Sequence, residues 1–468
     1  MKRWLTLRRT VSMLEPETVD TAILAIFIGT AISAVAASVM PWAFGRVPRT
    51  KSTTYDNYRR VFGLLAAVPM PWFRSAFCAA SVPGIFLIPI KPLNGWPRWS
   101  KALIGAAIGA ASMIAVSAFL QGVPLPVTAV VSLLAAALFA SSAVKLTAGE
   151  RDAGQLIAWT AAGHALFFIL IGTSNTSDSF EHLWKYGIAT PVTIILIYMA
   201  VSTGRTWVSV ALLATLGVTS MSLGFRSHAL VCLISVVMLI AKGPSSRPRW
   251  AKIGVALVGI YALAVLLPNA ISSGTFGADV QARTIAQEQV SDAPSFLAGR
   301  VEPPFSIAAI SEKPLIGWGN LNKIDRATEA SGVQIAKDLG MANPDSYRKI
   351  WIRDGGQVSL HSVFFESWAA GGILAAGFPA LLIFLFSAAA IRARGQYAAL
   401  VILVSIQGLW DVVFSPWGYN RPILFATSAV LACWSIAEHR RVKSKPQPYP
   451  SSDAGPSHLV GDFAQNPT

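Results

Sequence analysis

Gly355-Gly356-Gln357-Val358-Ser359-Leu360-His361-Ser362-Val363-Phe364-Phe365-Glu366 runs on through Trp368 to Gly371-Gly372. It closes the one long polar segment of the chain and opens an apolar run that reaches Ala390. The pattern predicts a helix that begins where water gives way to membrane. His361 and Glu366 would stand at i and i+5 of that helix, roughly 140° apart around its axis, and so on different faces. A histidine exchanges protons near neutral pH, and a boundary position exposes it to lipid-borne and water-borne molecules alike. The plainer reading of His361 is a polar group that caps or anchors the helix end.

Outward from this stretch the chain is strongly apolar. Of 468 residues, 53% are hydrophobic and only 13% charged, against about 25% charged in an average soluble domain; the mean hydropathy is +0.53. Apolar runs recur at the length of about 17–25 residues that a hydrocarbon core of about 30 Å requires. The expected fold is all-α, a polytopic membrane bundle of about twelve helices. Spans are predicted near 21–44, 75–91, 102–121, 124–145, 153–173, 187–203, 206–222, 227–242, 252–268, 361–391, 397–415 and 419–437. Residues 1–20 form a basic cytoplasmic arm, with no signal-peptide cleavage pattern evident before the first span. A transmembrane unit of spans 1–9 fills 21–268, a partly helical outer cap 269–360, spans 10–12 the stretch 361–437, and a disordered cytoplasmic tail 438–468.

The net charge of +15 is spread as the positive-inside rule expects, in short segments between spans, so it sets topology and meets anionic lipids. No nucleic-acid motif is visible, and no nucleic-acid partner is expected. The weak point is 46–74, where Arg46, Arg49, Lys51, Arg59 and Arg60 would lie outside, and where a re-entrant helix is an alternative to a span. Cys78, Cys232 and Cys433 all lie in apolar stretches without CxxC spacing and read as small hydrophobes.

Charge inside a span is costly and therefore informative. On this topology nearly all such groups share the outer level: Arg226 and His228 open one late span, His361 and Glu366 another, Asp411 ends the next and Arg421 begins the last. His164 is the exception, mid-way along its span, and is expected to bond to a neighbouring helix. No carboxylate falls at mid-depth, where an ion-coupled carrier usually places one. The chain looks built for chemistry at its outer face.

Three segments carry a resemblance. Phe225-Arg226-Ser227-His228-Ala229-Leu230 is similar to a serine-arginine opening of a late span. Gly299-Arg300 is followed about fifteen residues on by Pro314-Leu315-Ile316-Gly317-Trp318-Gly319, similar to a loop arginine and a Pro-Leu-x-Gly-x-Gly turn. His361-Ser362 has Gly372 eleven residues after the histidine, similar to a His-Asn/Ser-x9-Gly signature. In this order and topology, the segments resemble those of the O-antigen ligase and O-antigen polymerase family, membrane glycosyltransferases that use polyprenyl-pyrophosphate-linked glycans. Three departures stand out: Phe225 replaces a serine, Glu302-Pro303-Pro304 replaces a Glu-x-Trp pattern, and Ala375 stands where a second glycine is common.

The resemblance implies glycosyl transfer at the periplasmic face of a bacterial inner membrane. An undecaprenyl-pyrophosphate-linked glycan is the implied donor, and a saccharide or lipid A-core the acceptor. Arg226 and Arg300 would hold the pyrophosphate, because guanidinium groups grip phosphate at two points. His361 would take or orient the acceptor proton, with Glu366 as a carboxylate that tunes it. His228, Asp411 and Arg421 are expected on the substrate site. No metal or other cofactor is expected, since the leaving group is already activated. Ligase and polymerase remain alternatives within the family; a lipid-glycan flippase or transporter, or a complex-organising protein, would share the spans without consuming donor.

Overall fold

The computed structural model describes residues 53–69, 77–87, 95–172, 180–242, scattered positions between 254 and 282, and 301–341, 343–353, 356–417 and 421–444. Helices dominate. Between Thr53 and Lys242 these are α1 (Thr53–Leu65), α2 (Ser81–Leu87), α3 (Arg98–Leu120), α4 (Val127–Leu146), α5 (Glu150–Ile171), α6 (Phe180–Ser202, with a π-helical turn at Trp184–Ile188), α7 (Thr206–Ser222) and α8 (Arg226–Lys242). They continue with α9 (Pro303–Glu312), α10 (Arg326–Asp338), α11 (Val363–Ala375), α12 (Gly377–Arg392), α13 (Ala398–Phe414) and α14 (Arg421–Ser444). The only strand pair among the described residues is Ile352–Arg353 with Gln357–Val358, antiparallel.

The long helices follow from composition. Arg98–Leu120 has 23 residues, about 34 Å at 1.5 Å per residue, and contains no proline. Ala107, Ala110, Ala111 and Ala118 are buried in it, while Ile108, Val116 and Phe119 are exposed. Small residues inward and large apolar ones outward is how helices pack closely when the surrounding solvent is lipid. Five described helices are long and apolar enough to cross a membrane, and six if the bent pair Val363–Ala375 and Gly377–Arg392 counts as one span; Thr206–Ser222 and Ala398–Phe414 are shorter apolar helices. This supports a helical membrane bundle and leaves the expected count of twelve unmatched. The predicted span 21–44, and most of 252–268, fall outside the described residues.

Hydrogen bonds sort the helix ends. At one end, Lys313 Nζ donates to Gln121 Oε1 at 2.9 Å, Asn320 Nδ2 to Pro124 O at 2.9 Å, and Val363 N to Ser415 O at 3.0 Å. At the other, Arg59 Nη1 donates to Leu146 O (2.9 Å), Trp434 Nε1 to Thr147 Oγ1 (2.9 Å), Gln396 Nε2 to Val201 O (3.0 Å) and Lys242 Nζ to Ala393 O (2.7 Å).

Two sequence expectations are corrected here. Arg59, expected at the outer level, belongs to the end that carries Lys145 and Arg151. It is 6% exposed, donates to Gln155 Oε1 at 3.0 Å and pairs with Asp152 at 3.4 Å and with Asp56. The reason is that Thr53–Leu65, only 13 residues long, packs with Arg59 beside Leu146 and Asp152. Gly63 and Gly163 let α1 and α5 touch backbone to backbone: a Cβ on Gly163 would lie 2.7 Å from Leu64 O. In the predicted span 75–91 the described helix is only Ser81–Leu87, held by Ser142 Oγ donating to Gly84 O at 3.1 Å. Neither described helix in 53–87 is among those long and apolar enough to cross a membrane.

The second correction concerns 361–391, predicted as one span. It is two helices bent by 105°, and the break is built by Gly372 at φ 71°. Into the break fits the turn 314–319: Trp318 N donates to Ala369 O (2.8 Å), Gly319 N to Ala370 O (2.8 Å) and Ile373 N to Pro314 O (3.1 Å). Two motifs read separately in the sequence are therefore one hydrogen-bonded unit.

The described part of the cap, 301–360, has a core of its own. Phe305, Trp318, Val333, Tyr347, Trp351 and Leu360 cluster with Ala369 of α11. Trp351 stacks on Phe305 at 5.1 Å and donates to Val301 O at 2.6 Å. Helix α10 is capped by Asp325, whose carboxylate accepts from Thr328 N at 2.8 Å. Those hydrogen bonds from Thr328 hold the Asp325 carboxyl below the usual aspartate value.

Candidate functional site

His361 lies just before α11. Ser362 is the N-cap, its Oγ accepting from Phe365 N at 3.2 Å, so the capping role offered for His361 belongs to its neighbour. The helix starts at Val363, and the i, i+5 relation with Glu366 on a common helix does not apply. His361 has φ 48°, a left-handed conformation that a non-glycine side chain adopts rarely and mostly where the surroundings hold it.

What holds it is a carboxylate. His361 Nδ1 is 3.2 Å from Glu302 Oε1, and Glu302, at the N-cap of α9, is 7% exposed. Glu302, which the sequence reading had not placed beside the histidine, is in contact with it. A carboxylate only accepts, so the neutral imidazole carries its hydrogen on Nδ1 and its lone pair on Nε2. That is the tautomer in which a histidine serves as an oriented base.

Two residues after His361, a chain of contacts runs into the bundle. Val363 N donates to Ser415 O, Ser415 Oγ donates to Asp411 Oδ1 at 2.9 Å, and Asp411 Oδ2 pairs with Arg421 Nη1 at 2.5 Å. Asp411 is 8% exposed. Removing either charge of such a buried pair leaves the other uncompensated, at a cost of about 3–5 kcal/mol.

Asp411, Ser415 and Arg421 line a cavity of about 310 Å³, together with His164, Lys185, Ser227 and His228. The volume is at the small end of the roughly 300–1,000 Å³ range of ligand sites. Lys185 reaches the wall from the π-helical turn of α6, a local widening often found where a helix serves a site.

His228 and His164 have opposite standing. Trp184 Nε1, a donor only, gives to Ser220 Oγ at 3.1 Å, and Ser220 Oγ lies 2.9 Å from His228 Nδ1. On the other side His228 Nε2 lies 3.2 Å from Thr193 Oγ1, which donates to Ala189 O at 2.8 Å. Every hydrogen bond then has one direction: Ser220 donates to Nδ1, and Nε2–H donates to Thr193. Both nitrogens of His228 are committed to joining α6, α7 and α8. His164, 2% exposed, has Nδ1 2.7 Å from Thr160 O, one turn back on its own helix rather than on a neighbour. Its buried Nε2 has no hydrogen-bond partner among the described residues, a condition worth about 1–3 kcal/mol of instability.

Arg226 opens α8, half-buried between the cavity-lining residues Phe225 and Ser227. Arg300 lies outside the described residues, two positions before Glu302. The structure thus brings Asp411, Arg421 and His228 to one cavity, and Val363, two residues after His361, bonds to Ser415 in its lining. No protein-family model and no curated protein matches this chain. Sequence reasoning did not assign Glu302 or Lys185 to the site. Glu302 was visible two residues after Arg300 as part of a departure from a family pattern; Lys185 carried no signal beyond its place near a span end.

Proposed function

We propose that this chain is a membrane glycosyltransferase, O-antigen ligase-like, that moves a glycan from a polyprenyl-pyrophosphate-linked donor to a saccharide hydroxyl. The observation that supports it most is the Glu302–His361 contact at 3.2 Å, in a chain that also holds a cavity lined by fixed charges of both signs. The acceptor oxygen attacks the anomeric carbon, the bond from that carbon to the pyrophosphate oxygen breaks, and polyprenyl pyrophosphate leaves with the electron pair. The acceptor proton passes to Nε2 of His361 while Glu302 holds the Nδ1 hydrogen and steadies the imidazolium. Arg226 and Arg300 bind the pyrophosphate and stabilise its growing charge. A polymerase of the same family would use the same groups, with a lipid-linked repeat as acceptor.

Sidedness supports the assignment to a periplasmic site. Lys145, Arg151, Lys242 and Arg394 gather at the end away from the cap, and cationic loops mark the cytoplasmic side. Reporter fusions after residues 122, 300 and 417 should read outside, and fusions after 204 and 394 inside; a cytoplasmic reading at 300 dismantles the proposal. For the donor site, Arg226→Lys should lower transfer roughly tenfold, because an ammonium cannot make the planar two-point contact that a phosphate accepts from arginine. Wild-type rates from the lysine variant, measured with donor in excess and limiting, remove that role.

A further inference from the structure

The proposed transfer uses His361 and the arginines and leaves His164 without a task. This histidine sits mid-way along α5, buried, in the wall of the cavity that Arg421, Asp411 and Lys185 also line. Nδ1 is tied back to Thr160 O at 2.7 Å. Since a carbonyl only accepts, Nδ1 carries the hydrogen and Nε2 of the neutral ring is an acceptor. That acceptor has no partner among the described residues.

We infer that the cavity is a saccharide subsite in which His164 Nε2 accepts a hydrogen bond from a sugar hydroxyl. The inference rests on the glycosyl-transfer reading and extends it to where a sugar ring is recognised. The orphan group calls for a ligand that can donate a hydrogen. A fully ionised phosphate has acceptors only and gives nothing to Nε2, whereas a hydroxyl both gives and accepts. The remaining groups also suit a polyol. Arg421 is paired with Asp411 at 2.5 Å and Lys185 adds a second cation, so the wall offers donors and acceptors together. Gln407 adds an amide, and the rings of Phe225 and Phe425 add apolar surface for the C–H face of a sugar. A site built on a buried acceptor discriminates strongly, because an analogue without the hydroxyl leaves that acceptor unpaired.

The test uses the full chain in lipid nanodiscs with ¹⁵N-labelled histidine. The probes are octyl β-D-glucoside and octyl β-D-galactoside below their micelle concentrations, with an octyl oligoethylene glycol ether as the control that has the same tail and no ring hydroxyls. At least one glycoside should move the His164 Nε2 resonance in the direction of hydrogen-bond acceptance, and the ether should not. His164→Phe, which keeps an aromatic ring without the acceptor, should weaken glycoside binding at least tenfold and leave farnesyl pyrophosphate binding unchanged. If that variant fails to fold, the wild-type spectrum alone decides. A His164 signal that neither glycoside moves, as when the cavity holds water only, overturns the subsite, and so does equal glycoside binding by His164→Phe. Glycoside binding at His164 in a protein that shows no transfer sinks the enzymatic reading and leaves the subsite standing; transfer with a silent His164 does the reverse.

Discussion

His361→Asn should cut glycosyl transfer by at least about a hundredfold, within the 10²–10⁴ that a general base usually contributes, while leaving a folded protein in the membrane. The substitution suits the question because asparagine tolerates the left-handed backbone better than most residues, and position 361 has φ 48°. The helix cap is not disturbed either, because Ser362 supplies it. What asparagine lacks is a group that takes a proton, so an anchoring role survives the change and a basic role does not. Donor binding should persist, since the arginines and not His361 hold the pyrophosphate, and the loss should fall in kcat rather than KM. Turnover within a few-fold of wild type returns His361 to an anchoring role.

Gly372→Ala should strongly destabilise the folded protein. A Cβ at this position would lie 1.9 Å from Leu315 O, and Gly372 has φ 71°. Neither neighbour can yield cheaply, because the approaching atom is backbone held by the bonds from Trp318, Gly319 and Ile373 across the break. The cost should exceed about 3 kcal/mol, the top of the common range for overpacking, with the left-handed strain added. Thermal unfolding in detergent gives the readout. Gly377→Ala is the comparison: a Cβ there meets nothing within 4 Å, and its melting temperature should stay near wild type. Equal melting of the two variants would mean that the turn 314–319 does not seat on the helix break as described.

The apolar runs predicted several helices closely, 206–222 matching Thr206–Ser222 and 397–415 nearly matching Ala398–Phe414, because hydropathy reports burial from water directly. It reports nothing about where a helix bends. The break at Gly372 was hidden because residues on both sides of it are equally apolar, and its cause lies more than fifty residues earlier, in Leu315. Helix α1 was half visible: Arg59 broke the charge rule, and its resolution needed Asp152 and Leu146 O, some ninety residues along the chain. The site shows the same division. His361, His228, Asp411 and Arg421 stood out as polar groups beside apolar runs. Glu302 and His164 depended on partners that only tertiary structure supplies: one gains a histidine from a distant helix start, and the other faces a cavity with an acceptor unused.

The most direct test of the account is to incubate the purified chain, in liposomes free of other proteins, with a polyprenyl-pyrophosphate-linked glycan and either a lipid A-core or a second lipid-linked repeat as acceptor. The products are then identified by mass spectrometry. The account predicts a new glycosidic linkage on one of these acceptors, formed in step with release of polyprenyl pyrophosphate and lost in His361→Asn. Movement of intact donor between leaflets, with no pyrophosphate released and no linkage formed, would contradict it and mark the protein as a carrier.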